Sequence, residues 1–481
     1  MRAAYWAPPM SIELLPTRNP RSGAVDHQMP VFSPAEVAAA AAELRAAQPA
    51  WRERGVAERA AVLRRWAQAL REHREALVAA LRTDTGRQAE AVLEFDATLG
   101  ALERWCAQAP ALLADEAPRQ ASIPFVRIEQ RRWPYPVVGV ISPWNWPLML
   151  SLIDAVPALL TGCTVLIKPS EFTPRFVEPL NATLAAVPEL QAVLRYVTGA
   201  ADTGEALVRA VDAVCFTGSV KTGRRVGAAA MEAFIPSFLE LGGKDPALVL
   251  ADADLERAAR SLAWGGMVGA GQSCMSIERV YVHAAVAPRF TEALARRVGA
   301  LRLNWPDIMQ GEIGPIIAAP QVDIVRRQLE DALSRGAVAL TGGRVVQHDG
   351  GWWCEPTVLA NVTPEMAVVA EETFSAILPV MTFTSDDEAV ALANSGDFGL
   401  SAAVFSAGLD HARAVATRLE AGAISINDSS LTALVHDAAK QSFKLSGLGG
   451  SRMGPTSLAR FYRQQALLIN EAPAAPWWFG G

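Results

Sequence analysis

The chain has 481 residues, of which 51% are hydrophobic and 20% charged, so it is long and apolar enough for two or three globular domains. Its 44 Lys and Arg and 50 Asp and Glu residues give a net charge of −6, which argues against the basic excess of a nucleic-acid-binding surface. The five scattered cysteines form no Cys-x-x-Cys pair, so neither a disulfide framework nor a structural metal is expected, and a reducing cytoplasm fits.

The first part of the chain is predicted to be mainly helical. Ser33-Pro34 followed by Glu36 is typical of a helix N-terminus, and an Ala/Leu/Arg-rich helical region continues to about Leu113. Residues 1–30 have no apolar core of the kind found in signal peptides. No apolar run of about 18 residues occurs along the chain, so no membrane span is expected.

From residue 115 onward, short apolar runs alternate with helical stretches. Residues 123–129 alternate apolar and polar side chains, which predicts a half-buried strand. Strands separated by helices are typical of parallel sheets covered on both faces, so the chain is predicted to be an α/β protein. The other predicted strands are 137–142, 164–168, 195–198, 213–216, 247–250, 279–282, 338–340, 376–383, 402–405, 423–426 and 466–470.

Three stretches together contain the groups that acyl transfer through a thioester requires. Cys274 lies among small residues, Glu240 precedes a glycine pair, and Asn145 lies between two tryptophans and two prolines. A lone cysteine usually only packs in a core. A thiol, a carboxylate and a neutral donor together can act as nucleophile, general base and oxyanion stabiliser, so the combination favours catalysis.

These stretches, Gln272-Ser273-Cys274, Glu240 to Gly243 and Pro143 to Pro147, resemble the signature motifs of the aldehyde dehydrogenase superfamily, in the expected order and over nearly the whole chain. The resemblance implies a Rossmann-like parallel-sheet cofactor domain, an α/β catalytic domain and a small β bridging unit used to form a homodimer or homotetramer. The implied boundaries are 1–113 with 136–242 for the cofactor domain, 243–437 for the catalytic domain, 114–135 with 460–481 for the bridging unit, and 438–459 for a segment near the substrate entrance.

The Gly-x-Gly-x-x-Gly dinucleotide fingerprint is absent, but residues 214–223 predict a strand, a tight turn and a helix start that suit a pyrophosphate. By resemblance, Lys168 and Glu171 bind the adenosine ribose. The Glu171 carboxylate would repel a 2′-phosphate and favours NAD, whereas Lys168 leaves NADP as the alternative. The cofactor residues that the resemblance implies are Ser142, Trp144, Lys168, Ser170, Glu171, Gly199, Gly204, Phe216, Gly218, Ser219, Leu241, Glu372 and Phe374.

The resemblance implies oxidation of an aldehyde to a carboxylic acid. The Cys274 thiolate attacks the aldehyde, Asn145 and the Cys274 N–H stabilise the oxyanion, and Glu240 activates the water that hydrolyses the thioester. Members that transfer the acyl group to coenzyme A generally lack this base, so Glu240 favours water as acceptor. A coenzyme A-acylating enzyme and a catalytically inactive structural or binding member of the fold are the alternatives.

The substrate is predicted to be a small-molecule aldehyde held in an apolar pocket. The pocket residues implied by position are Trp146, Leu150, Ile153, Val268 and Met275. No arginine belongs to that set, so a neutral aldehyde is expected rather than an acidic semialdehyde, with Arg279 and Lys444 not yet placed. The chain departs from the family pattern at Ser375-Ala376, where Gly-Pro is usual, and at 440–443, where Phe-Gly-Gly is usual.

Overall fold

The computed structural model describes residues 13–472 and 477–478 of the chain. The predicted cofactor domain from residue 1 and bridging unit to residue 481 therefore lie partly outside the described residues. The described part is a mixed α/β structure, which confirms the predicted fold class. No helix in these ranges is long and apolar enough to cross a membrane.

The helices, numbered in chain order, are α1 (Pro34–Glu53), α2 (Gly55–Glu72), α3 (Arg74–Thr85), α4 (Ala89–Leu112), α5 (Pro147–Thr161), α6 (Val177–Ala185), α7 (Pro188–Gln191), α8 (Ala201–Ala210), α9 (Val220–Glu232), α10 (Leu255–Met267), α11 (Ala287–Val298), α12 (Ala319–Ser334), α13 (Ala367–Ala370), α14 (Asp386–Asn394), α15 (Leu409–Ala416) and α16 (Leu431–Leu434).

The strands are β1 (Leu14–Arg18), β2 (Val25–Pro30), β3 (Arg119–Gln120), β4 (Val126–Pro134), β5 (Val137–Ile141), β6 (Thr164–Lys168), β7 (Leu194–Tyr196), β8 (Ala213–Thr217), β9 (Ser237–Glu240), β10 (Asp245–Val249), β11 (Ile277–His283), β12 (Val338–Thr341), β13 (Val345–His348), β14 (Gly351–Cys354), β15 (Thr357–Ala360), β16 (Ile377–Phe383), β17 (Phe398–Gly399), β18 (Ser401–Phe405), β19 (Ala423–Ile426), β20 (Phe443–Lys444), β21 (Gly447–Leu448) and β22 (Tyr462–Asn470).

The first large sheet has the strand order β21-β9-β8-β5-β6-β7. Strands β5 to β9 run parallel, and only β21 pairs antiparallel. Every residue of β6 and β8 is buried, because helices cover both faces of the sheet. The carboxyl ends of β5 to β9 therefore meet at one edge, which is where open α/β sheets bind ligands.

The second large sheet has the order β12-β15-β16-β11-β10-β18-β19, and it is parallel except for the antiparallel pair β12–β15. Its central strands β10 and β18 are buried at every residue. The segment that contains Cys274 lies between α10 and β11, so the nucleophile loop leads directly into this sheet.

A third, antiparallel sheet joins β3, β4 and the C-terminal strand β22. In its register Leu467 lies opposite Glu129. The strand predicted over 123–129 instead begins at Val126 and continues to Pro134, since residues 123–125 form the turn that leads into it.

The single helical region predicted up to Leu113 is four helices in the structure. Gly55 and Gly86 adopt left-handed φ angles of 71° and 67° at two of the breaks, a conformation that a glycine adopts without strain. The hairpin formed by β1 and β2 and the short strand β9 were not predicted, because their apolar patterns are too short to stand out.

Candidate active site

The nucleophile loop turns sharply before Cys274. Gly269, Ala270 and Gly271 follow one another with left-handed φ angles of 63°, 57° and 69°. This conformation is strained at Ala270, and such strain persists only where the surrounding structure imposes it. Gly271 also needs its hydrogen side chain, since a Cβ there would overlap the Ser375 carbonyl.

Two residues near the start of α4 fix this loop. Buried Arg87 donates from Nη1 to the Gly269 carbonyl (2.9 Å) and from Nη2 to the Asn145 carbonyl (2.8 Å). The Glu90 carboxylate accepts from the Gly269 N–H (3.1 Å). Sequence reasoning missed both residues, because a helical arginine and glutamate usually indicate a solvated face.

Asn145 lies in the turn between β5 and α5 and is buried. Its Nδ2 donates to the Gln272 carbonyl at 3.0 Å, which links the amide to the nucleophile loop. The Gln272 side chain is itself fixed, because it donates to the Pro315 carbonyl (3.0 Å) and accepts from the Ile317 N–H (3.0 Å). The predicted amide and thiol segments are therefore held together by direct hydrogen bonds.

Glu240 is the last residue of β9, and its Oε2 accepts a hydrogen bond from Ser442 Oγ at 3.1 Å. Ser442 belongs to the 438–459 segment, which reaches this position because β21 pairs with β9 opposite Glu240. A Cβ on Gly243 would overlap the Cys274 carbonyl oxygen, so this glycine permits the close approach of the two motifs.

The surroundings of Cys274 oppose its ionisation. The thiol is partly exposed to the site, while the surrounding protein and the carboxylates of Asp245 and Glu372 raise the pKa of Cys274 to about 12. The other four cysteines are buried and unpaired. Burial also raises the pKa of Asp245 to about 8 and that of Glu372 to about 7.

An apolar cavity of about 340 Å³ opens onto Asn145, Glu240 and Cys274. All five predicted pocket residues line it, namely Trp146, Leu150, Ile153, Val268 and Met275. Sequence reasoning missed other lining residues, which include Leu93, Ala97, Gly100, Arg104, Met149, Trp264, His436, Lys440, Ser442, Arg452 and Met453.

The five predicted pocket residues include no arginine, but the whole cavity is also lined by Arg104, Arg452 and Lys440. The two cations considered from the sequence lie elsewhere. Arg279 donates to the Lys244 carbonyl (2.8 Å) in the core, and Lys444 pairs with Glu420 (2.7 Å). The argument against an acidic substrate therefore no longer holds.

A second cavity, of about 150 Å³, shares Asn145 and Cys274 with the first. Among the predicted cofactor residues it is lined by Trp144, Gly218, Ser219, Leu241, Glu372 and Phe374, and sequence reasoning missed Pro143, Thr217, Gly242 and Gln321. The indole of Trp144 and the ring of Phe374 meet edge to face, with centroids 5.3 Å apart. Asn145 and Cys274 thus lie between the two cavities.

The remaining predicted cofactor residues lie along the carboxyl edge of the first sheet. Lys168 Nζ is 3.2 Å from Glu171 Oε2 beyond β6, and a Cβ on Gly204 would touch the Lys168 side chain. Ser219 is the N-cap of α9, where its hydroxyl accepts from the Thr222 N–H. Ser142, Ser170 and Gly199 follow the strands β5, β6 and β7, and Phe216 is the penultimate residue of β8.

The loop that contains Glu372 and Phe374 is held by a buried ion pair. Lys244 Nζ lies 2.7 Å from Glu278, whose two carboxylate oxygens accept from the N–H groups of Thr373 and Phe374 at 2.7 Å each. Glu372 in turn accepts from the Gly243 N–H at 3.0 Å. The loop therefore faces the second cavity although Ser375-Ala376 replaces the usual Gly-Pro.

The donor set of the second cavity fits a nicotinamide dinucleotide. The carboxyl edge of the parallel sheet is bordered by the helix N-terminus at Ser219 and by the Glu372 carboxylate. Two aromatic rings and a buried, unpartnered Ser142 hydroxyl lie at the same edge. No group of three or more His, Cys, Asp and Glu side chains that could hold a metal ion occurs among the described residues.

The fold and the site together define an NAD(P)-dependent oxidoreductase that acts on aldehydes. The model of the aldehyde dehydrogenase family matches residues 6–467, and the chain belongs to this family. A relative of this chain is a candidate NADP+-dependent succinate-semialdehyde dehydrogenase of Mycolicibacterium smegmatis. The two sequences are 35% identical over 447 residues, which cover 91% of this chain and 85% of the relative.

Solved structures agree with this assignment. A candidate aldehyde dehydrogenase of Anabaena variabilis superposes with a TM-score of 0.95 at 50% identity, covering 97% of this chain and 100% of that one. Betaine aldehyde dehydrogenase of Staphylococcus aureus in complex with NAD+ superposes with a TM-score of 0.92 at 28% identity, covering 99% and 96%. The function predicted from the sequence, NAD(P)-dependent aldehyde oxidation, is thereby confirmed at this level.

Proposed function

We propose that Cys274, Asn145 and Glu240 oxidise an aldehyde through a thioester at the junction of the two cavities. The observation that supports this is the shared lining: Asn145 and Cys274 line both cavities, and Glu240 lines the apolar one. The Cys274 thiolate attacks the aldehyde carbon, and Asn145 Nδ2 with the Cys274 N–H stabilises the oxyanion. Removal of one such donor typically costs about 3–4 kcal/mol of transition-state stabilisation.

We propose that the second cavity and the adjoining sheet edge hold NAD. The start of α9 at Ser219 receives the pyrophosphate, Lys168 and Glu171 receive the adenosine ribose, and Glu372 and Phe374 receive the nicotinamide end. The bound cofactor supplies the hydride acceptor for the oxidation. The partly exposed Glu171 carboxylate opposes a 2′-phosphate, while Lys168 beside it keeps NADP as the weaker alternative.

We propose that water is the acyl acceptor and that Glu240 activates it. The Ser442 hydroxyl holds one oxygen of the carboxylate and leaves the other for a water molecule. The test is NADH formation from a simple aldehyde with and without coenzyme A. Turnover that needs coenzyme A would support the acylating alternative, and no turnover with any aldehyde would support the inactive alternative.

A matched variant completes this test. Cys274→Ala removes the nucleophile and leaves all the predicted cofactor residues unchanged, so it should abolish turnover while NAD still quenches the tryptophan fluorescence. Cys354→Ala is the control, because Cys354 is buried away from the cavities and should leave turnover unchanged. Substantial turnover of the Cys274→Ala protein would refute the assignment of the nucleophile.

We propose that the chain forms a cytoplasmic homodimer or homotetramer. Strand β22 is the outer strand of the third sheet, and its Leu468 is 70% exposed, which is a feature of a sheet edge that another chain covers. The cytoplasm is favoured because an accessible catalytic thiol must stay reduced. Light scattering after gel filtration and cell fractionation test the two statements.

A further inference from the structure

One wall of the apolar cavity is a single face of α4. The wall residues recur every three or four positions and are Leu93, Ala97, Gly100 and Arg104. The start of α4 touches the nucleophile loop, where Glu90 accepts from the Gly269 N–H. Arg104 follows Glu90 by 14 positions (104 − 90) on this helix, which is about 21 Å along its axis at ~1.5 Å per residue.

Arg104 differs from the other cations of this cavity in having no partner. Arg452 is neutralised by Asp154, at 2.7 Å, and Lys440 donates to the Thr432 carbonyl and is close enough to Glu240 for their charges to interact. Within residues 13–472, Arg104 makes no ion pair and no hydrogen bond, although it is partly buried. An arginine in this state is available to a ligand.

Among the described residues, no carboxylate forms an ion pair with Arg104. His436 lines the same cavity, and burial together with Arg104 and Lys440 lowers the pKa of His436 to about 4 against the opposing effect of the Asp437 carboxylate, so His436 is neutral at pH 7. The Glu94 carboxyl group accepts from the N–H groups of Leu148 and Met149 and is thus already partnered. The part of the cavity next to Arg104 therefore favours an anionic group.

We propose that the substrate is an aldehyde whose apolar chain ends in a carboxylate, and that Arg104 binds this carboxylate while the carbonyl lies at Cys274. The proposal rests on the proposed function of Cys274. A guanidinium can hold a carboxylate through two parallel hydrogen bonds, which gives orientation as well as affinity. The length of the apolar chain is left to the experiment, since ω-oxo acids of different lengths place the carbonyl and the carboxylate at different separations.

The test compares ω-oxo carboxylates of increasing chain length with unsubstituted aldehydes of the same carbon number. The unmodified enzyme should prefer the carboxylates to the unsubstituted aldehydes of the same carbon number. Arg104→Gln should lower kcat/KM for them by about 10- to 100-fold, mainly through KM, because a hydrogen-bonded charge is lost. The same variant should oxidise the neutral aldehydes within about twofold of the unmodified enzyme, which also shows that it is folded.

Two further variants sharpen the comparison. Arg104→Lys keeps the charge but not the paired donors, so it should recover part of the activity on the carboxylates. Arg65→Gln removes a surface arginine that pairs with Glu189 outside the cavity, and it should change neither substrate series. For the unmodified enzyme alone, KM of the carboxylates should rise with ionic strength.

The outcomes separate this proposal from the proposed function. If the unmodified enzyme prefers neutral aldehydes, or if Arg104→Gln affects both series equally, Arg104 is not a carboxylate anchor and the proposal is overturned, while aldehyde oxidation stands. If no aldehyde of either series yields NADH, the proposed function itself fails and this proposal fails with it.

Discussion

In the protein without bound ligand, the Cys274 thiol should ionise very little near neutral pH. With a pKa of about 12, roughly one thiol in 30,000 is a thiolate at pH 7.5, against about 3% for a thiol at the reference pKa of 9.0. The thiolate is the species that reacts with alkylating agents. Iodoacetamide should therefore modify Cys274 slowly near neutral pH, and the rate should keep rising up to pH 10 without a plateau.

Asp245→Asn is the perturbation that tests this account. Asp245 contributes the largest charge effect on the thiol, and a Cβ at Gly243 would lie against both residues. Because the pKa of Asp245 is itself raised to about 8, this carboxyl is mostly neutral at pH 6.5 and mostly ionised at pH 9.5. Removing a like charge lowers the thiol pKa, so the variant should react faster only at the higher pH.

The expected acceleration at pH 9.5 is about tenfold, since a nearby charge shifts a pKa by on the order of one unit. Mass spectrometry of alkylated peptides gives the rate at Cys274, and Cys274→Ala provides the background of the four buried cysteines. A plateau below pH 9 in the unmodified protein, or an equal acceleration by Asp245→Asn at pH 6.5, would refute the reasoning.

Two further predictions concern residues outside the reaction centre. Glu171→Gln should narrow the preference for NAD over NADP, because it removes a negative charge and the ion-pair partner of Lys168. The preference is measured as kcat/KM for each cofactor. Equal values of kcat/KM in the unmodified enzyme would contradict the role given to Glu171. Arg87→Met should lower the free energy of unfolding by about 3 kcal/mol, since two buried carbonyls lose charged donors, and should also lower kcat. Urea unfolding checks the first effect, Arg87→Lys should lose less, and unchanged stability would contradict the role given to Arg87.

The catalytic segments could be predicted because their residue types reflect local needs. Gly243 and Gly271 are required where backbones approach each other, and Cys274, Glu240 and Asn145 have functional groups that packing alone does not require. The buried strands β5, β6 and β8 were equally visible, since strands covered on both faces are continuous apolar runs. The local sequence was therefore sufficient to predict the nucleophile, the base and most strands of the first sheet.

The walls of the cavities could not be predicted, because they come from residues far apart in the chain. Arg104 is a charged residue of a predicted helix, a residue type that is usually exposed, and it faces the cavity because α4 packs against α5. Ser442 meets Glu240 across 202 positions through the pairing of β21 with β9. Such contacts depend on the topology, and the sequence pattern of either partner alone does not contain them.

The contact between Ser442 and Glu240 allows the two half-reactions, hydride transfer and thioester hydrolysis, to be tested separately. Hydride transfer needs the thiolate, the oxyanion donors and the cofactor, whereas thioester hydrolysis also needs an activated water. Glu240→Gln keeps the size of the side chain and the acceptor for the Ser442 hydroxyl at 3.1 Å, but it removes the base.

In the Glu240→Gln protein, the first turnover should therefore still produce NADH, with a burst close to the enzyme concentration, and later turnovers should stall. Mass spectrometry of the quenched protein should show an acyl group on Cys274. Ser442→Ala is the matched control, since it removes the hydrogen bond to the carboxylate but keeps the base, so it should sustain multiple turnovers and accumulate less acyl adduct than Glu240→Gln. If the burst itself slows in Glu240→Gln, this carboxylate also deprotonates Cys274; normal turnover without an adduct would exclude Glu240 as the deacylation base.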